Sequence, residues 1–184
     1  MNRTGLAESI IATSNWSHLM AANGSGEPIR AALAALLAAD TPDVADAASW
    51  RIENHAVVQG ELFEVSEACV SVLVAALADP RPFWVRISIL DLLFQFLSGG
   101  GSPTPGTPVD IRERCERAAR EGLWLLCREA MVGAREAALD VIDLLGEGAR
   151  VRNLLDDGET DLGPDGGTDP GDRGSGETGE TDRH

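Results

Sequence analysis

The chain has 184 residues, enough for one ordinary domain and too few for two comfortable ones. Its 30 acidic residues outnumber 15 basic residues, all of them arginines, and the formal net charge is −15. That balance argues against nucleic acid and against an anionic membrane surface as partners, because both are bound through dense positive charge. Hydrophobic residues make up 43% of the chain, which is ample for a core.

Two further features concern the compartment. Cys69, Cys115 and Cys127 form no C-x-x-C pair, and we interpret them as small buried residues in a reducing environment. The first residues lack the apolar stretch of a signal peptide, and the longest apolar run, 31–39, is far shorter than a membrane span. These features predict a cytoplasmic protein.

The apolar residues follow a helical spacing almost throughout, and no segment alternates as a strand does, so we expect an all-α chain. Several predicted helices begin with a proline at or near the first helical position. The second and the fifth also have a threonine that can cap the helix. The predicted helices begin near residues 27, 41, 66, 82 and 107; the fifth runs unbroken to about 131, and a sixth ends at 146. Within them, Leu90 and Leu139 are expected to point into the core.

Composition divides the chain into three parts. Residues 1–26 are predicted to form an N-terminal cap segment and residues 27–155 a helical repeat domain. Residues 156–184 hold ten acidic residues, two arginines and eight glycines, and Leu162 is their only aliphatic side chain. Because such a segment buries too little apolar surface to offset its ordering entropy, we expect a disordered acidic tail.

The predicted helices form pairs that resemble one another. The pattern R-x-x-x-L-D occurs at 86–91 and again at 135–140. A period of 40 to 50 residues built from two helices is typical of HEAT arrays, in which each pair covers the apolar face of its neighbour. The sequence therefore predicts a short right-handed α-solenoid of about three HEAT-like helix pairs.

Two segments resemble a group of bacterial HEAT-repeat proteins. The first is Asn15-Trp16-Ser17-His18-Leu19, which resembles the N-terminal D-W-x-x-L-x-x-A-x-G pattern of that group. The second lies at 53–64 and is similar to the group's H-Q-G-x-x-Y/F-x-A segment. The resemblance covers residues 15–98 and implies a HEAT-like solenoid. It implies little about activity, because most of these proteins have no assigned chemistry.

Polar side chains follow one face of the second helix in two pairs. The first stripe contains Ser88, Asp91, Gln95 and Ser98, and the second contains Glu136, Asp140, Asp143 and Glu147. Second helices line the concave surface of a HEAT stack, so the stripes are expected side by side. Three interpretations stay open: solvated or repeat-stacking residues, an acidic groove for a basic protein, or paired carboxylates of a hydrolytic site.

We expect a non-enzymatic interaction module that binds a basic protein or peptide, an immunity-like or antitoxin-like protein being one form of it. The expected contact residues are Asp91, Gln95, Glu136, Asp140, Asp143 and Glu147. An exposed edge at Phe83 and Trp84 is a further candidate contact, whereas Trp16, Trp50 and Trp124 are expected in the core. The alternative function is a HEAT-like enzyme or an accessory protein of a lyase or biosynthetic pathway.

No catalytic residue, cofactor or metal site is predicted. The sequence contains no nucleophile elbow, P-loop or dinucleotide fingerprint. The acidic residues of 61–67 lie across a helix break from His55, so no i, i+4 ligand pair includes this histidine.

Overall fold

The computed structural model describes residues 5–100 and 110–160. This part of the chain forms nine α-helices and two very short hairpins, so the prediction of an all-α protein is confirmed. The helices are α1 Leu6–Thr13, α2 Glu27–Leu37, α3 Pro42–Ala56, α4 Val65–Ala76, α5 Phe83–Ser98, α6 Ile111–Glu121, α7 Leu123–Val132, α8 Arg135–Leu144 and α9 Gly148–Thr160. None of the described helices is long and apolar enough to cross a membrane.

Two small antiparallel hairpins interrupt the helices, and neither was predicted from the sequence. Strand β1, Met20–Ala21, pairs with β2, Gly24–Ser25, and strand β3, Val57–Val58, pairs with β4, Glu61–Leu62. A strand of two residues is too short for an alternating pattern to be recognisable. The hairpins lie just before α2 and just before α4 and turn the chain into these helices.

Three of the helices, α3, α5 and α8, pack in a row, and other helices pack beside this row. Helix α2 packs against α3, and α7 packs against α8. Helix α5 contacts α3, α4 and α8, so α3, α5 and α8 lie side by side in that order, while α4 packs against α1 and α6. Leu90 on α5 and Leu139 on α8 are both buried, as predicted from the repeat.

The start of α3 follows its sequence signal. The Thr41 hydroxyl accepts a hydrogen bond of 3.4 Å from the backbone N–H of Val44, and Pro42 occupies the first helical position. Helix α6 begins instead after Asp110, whose carboxylate accepts from the backbone N–H of Arg112 at 3.0 Å. The predicted cap and proline at 107 and 108 lie outside the described residues.

The prediction of one unbroken helix from 107 to 131 is wrong. Two helices, α6 and α7, meet at Gly122. A Cβ atom at Gly122 would lie only 1.8 Å from Cγ1 of Val74 on α4. Because a side chain has no room here, the junction between α6 and α7 packs directly against α4.

The prediction that helical structure ends at Gly146 is also wrong. Gly146 has a φ of 77°, a left-handed conformation that suits glycine at the end of a helix, and α9 begins two residues later. Val151 of α9 is buried, and Leu155 packs partly against the core. The predicted boundary at 156 thus lies inside α9, and the remainder of the predicted tail, 161–184, lies outside the described residues.

Arginine side chains connect helices that are distant in sequence. Arg81 donates to the Leu37 carbonyl at the end of α2 at 2.9 Å and to the Glu8 carboxylate of α1 at 2.8 Å. Arg86 of α5 donates through Nε to Glu129 of α7 at 3.1 Å and also through Nη2. Glu129 is only 3% exposed, and its other oxygen accepts from the backbone N–H of Ala134 at 3.0 Å.

We expect the substitution Arg86→Met to lower the free energy of unfolding by about 3 kcal/mol, because it leaves the buried Glu129 carboxylate without its cation. The control is Arg30→Met, which removes an exposed pair with Glu27 and should cost less than about 1 kcal/mol. Urea unfolding of both variants measures the difference. Equal costs for the two substitutions would contradict this role of Arg86.

Candidate functional site

A groove of about 270 Å³ lies between α5 and α8. We call it the α5–α8 groove, and its lining residues are Ile87, Leu90, Asp91, Phe94, Ala137 and Asp140. Asp91 and Asp140 are exposed, as are Ile87 at 36% and Phe94 at 41%. The groove therefore combines two carboxylates from different helices with an accessible apolar wall.

The helical repeat explains how these side chains come together. Ile87, Asp91 and Phe94 fall at i, i+4 and i+7, which places them on one face of α5. In each R-x-x-x-L-D segment the leucine is buried and the following aspartate is exposed. Because α5 packs beside α8, the two equivalent aspartates, Asp91 and Asp140, line the same groove.

Gln95 extends this acidic surface from α5 to α3. Its amide nitrogen donates to Asp91 at 3.2 Å and to Glu53 of α3 at 2.8 Å. Gln95 and Glu53 also line a second cavity, of about 550 Å³, between α3 and α5. Carboxylates of three neighbouring helices thus form one continuous feature, and we call Glu53, Asp91 and Asp140 the acidic strip.

Asp143 and Glu136 of the predicted stripe lie near Arg152, a cation of the same chain. Arg152 of α9 donates to Asp143 through Nη1 at 2.9 Å and also through Nη2. These hydrogen bonds hold the pKa of the Asp143 carboxyl below its ordinary value. The hydrogen bond to Asp143, together with the charges of Asp143, Glu136 and Asp140, raises the pKa of the Arg152 guanidinium. Arg152 therefore offsets part of the negative charge at this end of α8.

The last residue of the predicted stripe, Glu147, does not lie on α8. Helix α8 ends at Leu144, and Glu147 immediately precedes α9. Its carboxylate pairs with Arg150 at 3.2 Å. The expectation that Glu147 continues the helical face of Asp140 and Asp143 is therefore wrong, because the chain turns at Gly146.

The tryptophans differ from the prediction. Trp16 is buried as expected, whereas Trp50 and Trp124 are exposed, so their assignment to the core is wrong. At the predicted edge, Phe83 is exposed and Trp84 packs partly against the core. The indole Nε1 of Trp84 is buried and has no hydrogen-bond acceptor among the described residues.

A groove of about 400 Å³ lies between α7 and α9, and we call it the α7–α9 groove. Its lining residues are Trp124, Cys127, Arg128, Met131, Arg135, Val151, Leu154 and Leu155. This groove was not predicted, because the predicted helices end before α9 and Trp124 was expected in the core. The spacing of Val151, Leu154 and Leu155 at i, i+3 and i+4 is the signal that indicates this helix.

The histidine and cysteine side chains named here are held by a local hydrogen bond or by burial. Within 5–100 and 110–155, no three His, Cys, Asp or Glu side chains come close enough to hold a metal ion. The ring of His55 bonds to the Arg51 carbonyl of its own helix at 2.8 Å. Burial raises the pKa of the Cys69 thiol, and it raises that of Cys115 to about 12, so both thiols stay protonated at neutral pH.

Comparison with known proteins gives no relative: no protein-family model, no curated protein and no solved structure matches the chain. The resemblance of residues 15–98 to bacterial HEAT-repeat proteins therefore stays a prediction. What the α5–α8 groove does has to be inferred from its own chemistry.

We expect the Asp143 carboxyl to titrate below its ordinary pKa of 3.8, and the substitution Arg152→Gln to bring that pKa back toward 3.8. A carboxyl whose pKa is lowered by folding stabilises the fold above its unfolded pKa, and this contribution is lost as pH falls through the folded pKa. Carboxyl ¹³C NMR measures the shift. Arg150→Gln is the control and should leave the Asp143 pKa unchanged, because Arg150 pairs with Glu147. If Arg152→Gln also leaves the Asp143 pKa unchanged, the pairing is contradicted.

Proposed function

We propose that this protein is a non-enzymatic binding module whose acidic strip receives a basic, partly apolar segment of a partner protein. One observation carries the proposal: Asp91 and Asp140 line a single groove together with the exposed side chains of Ile87 and Phe94. Carboxylates recognise cationic groups, and exposed apolar side chains supply the area that a partner buries.

The charge of the groove favours a cationic partner. None of the described residues that line the α5–α8 groove is cationic, and Gln95, which bonds to Asp91 and Glu53, is neutral. Neighbouring carboxylates repel one another, and a bound arginine or lysine relieves that repulsion. The net charge of −15 also attracts a basic protein during its approach, so association is expected to be fast and sensitive to salt.

We also propose that the helices form a short right-handed solenoid of HEAT-like pairs. The pairs are α2 with α3, α4 with α5, and α7 with α8, and α6 is an extra helix packed on α4. The side-by-side packing of α3, α5 and α8 supports this assignment, because the second helices of such repeats line one surface. In this arrangement the acidic strip lies across the concave side of the solenoid. We place the protein in the cytoplasm.

Two designed amphipathic peptides test the proposal. One carries leucine and arginine, and the other carries glutamate in place of every arginine. We expect the leucine–arginine peptide to bind and the joint substitution of Asp91 and Asp140 by asparagine to weaken it about tenfold or more. The joint substitution of Glu113 and Glu121 by glutamine is the control, because these exposed acids lie on α6, which does not line the groove. Isothermal titration at two salt concentrations measures both.

A third variant, with Asp140 and Asp143 changed to asparagine, distinguishes binding in the α5–α8 groove from attraction by the overall negative charge of the protein. Because Arg152 already pairs with Asp143, we expect a smaller loss than for the Asp91 and Asp140 variant. The proposal is wrong if the α6 control weakens the leucine–arginine peptide as much as the groove variant does.

A further inference from the structure

The cavity of about 550 Å³ between α3 and α5 contains an exposed tryptophan beside a carboxylate, and we call it the α3–α5 cavity. Trp50 is 64% exposed, and Glu53 follows it by three positions on α3. Residues three apart are neighbours on one face of a helix, with Cβ atoms about 5–6 Å apart. Since both side chains line the cavity, the indole face and the carboxylate can contact the same ligand.

Gln95 of α5 fixes the position of the Glu53 carboxylate. Its amide nitrogen donates to Oε1 of Glu53 at 2.8 Å and to Oδ2 of Asp91 at 3.2 Å. A carboxylate accepts about four hydrogen bonds, so the bond from Gln95 uses only part of the capacity of Glu53. Glu53 is therefore held at the wall of the cavity and can still accept hydrogen bonds from a ligand.

The β3–β4 hairpin forms the third wall of the α3–α5 cavity. Gln59 and Gly60 line the cavity and have φ values of 54° and 82°, the left-handed conformation that both central residues of a type I′ turn adopt. The backbone N–H of Gly100 donates to the Gly60 carbonyl at 2.8 Å, so the turn is joined to the chain at the end of α5. The walls are thus connected before a ligand binds, which lowers the cost of ordering them.

The chemistry of the α3–α5 cavity favours a cation. Glu53 is the only charged residue among the described residues that line it. Residues 101–109, which follow the end of α5 and lie outside the described residues, contain no charged side chain. A carboxylate repels anionic ligands and attracts cationic ones. A cation over the face of an indole is also attracted by the negative potential of the ring.

We infer that the α3–α5 cavity binds the guanidinium group of an arginine side chain and makes the acidic strip selective for arginine over lysine. This inference rests on the proposed function, because Glu53 is one end of the acidic strip and the arginine belongs to the basic segment of the partner. The planar guanidinium stacks on the Trp50 indole and donates to the Glu53 carboxylate at the same time. The ammonium group of lysine is a compact, strongly hydrated charge and gains less from both contacts.

Two peptides that differ only in their cation test the inference on the full chain. One is the leucine–arginine peptide, and in the other lysine replaces every arginine. We expect the arginine peptide to bind about fivefold or more tightly, and Trp50→Leu to reduce this ratio to less than about twofold. Trp50→Phe, which keeps an aromatic face, should retain part of the preference.

The control is Trp124→Leu. Trp124 is exposed to a similar extent, at 69%, but lies on α7 and does not line the α3–α5 cavity, so its replacement should leave the ratio of the two affinities unchanged. Isothermal titration measures the ratio for every variant, and circular dichroism checks that each variant is folded.

The joint substitution of Asp91 and Asp140 by asparagine separates this inference from the proposed function. It should weaken both peptides and keep the preference for arginine, whereas Trp50→Leu should remove the preference. If neither peptide binds, the proposed function is wrong, and Nα-acetyl-arginine amide then tests the cavity by itself. We expect it to shift the indole N–H resonance of Trp50, which Trp50→Leu identifies, more than Nα-acetyl-lysine amide does at the same concentration.

Three results would overturn the inference: equal binding of the two peptides, an equal effect of Trp50→Leu and Trp124→Leu on the ratio, or a Trp50 resonance that Nα-acetyl-arginine amide leaves unchanged. A fourth concerns Arg3, Arg173 and Arg183, the arginines outside the described residues. If their joint substitution by glutamine raises the affinity for Nα-acetyl-arginine amide, the inference is also overturned, because an arginine of the chain itself is then the occupant.

Discussion

A carboxylate that is withdrawn from water needs both a cation and hydrogen-bond donors, because desolvation of the charge is costly. Glu129 obtains the cation from Arg86 and a further donor from the Ala134 backbone. These contacts join α5, α7 and the beginning of α8 at one point. Since α5 and α8 form the walls of the α5–α8 groove, the position of Asp91 relative to Asp140 depends on this buried pair.

Several arginines of the described residues make contacts between helices. Arg114 donates to Glu67 and so joins α6 to α4, and Arg120 donates to the Leu145 carbonyl at the end of α8 at 2.9 Å. Together with Arg81 and Arg86, these side chains donate hydrogen bonds that connect different helices. An arginine suits this task because its planar group binds several acceptors at once. Acidic side chains without such a partner remain at the surface, and the acidic strip is part of that remainder.

Local signals predicted the helices from α2 to α5, because each one has its own apolar stripe, and α2, α3 and α5 also have a proline at their beginning. The break at Gly122 depends on the side chain of Val74, more than forty residues away in sequence, and a local pattern contains no such information. The R-x-x-x-L-D repeat correctly predicted the burial of Leu90 and Leu139. The pairing of Asp143 with Arg152 was not predicted, because Arg152 belongs to α9, which follows the last predicted helix.

The exposed tryptophans illustrate a second limit of sequence patterns. Trp50 and Trp124 lie on helices that also carry buried apolar residues. The helical period of a sequence does not reveal which of its apolar side chains another helix covers. Exposure depends on which helix packs next to them. The cavity between α3 and α5 and the α7–α9 groove each contain one of these tryptophans.

The central claim, that the α5–α8 groove is a binding surface for a basic segment, is tested most directly by ¹⁵N chemical-shift mapping with the leucine–arginine peptide. The account predicts that the largest backbone shifts fall between Ile87 and Gln95 on α5 and between Ala137 and Asp140 on α8. Largest shifts on α1, α4 and α6, with α5 and α8 unaffected, would contradict it.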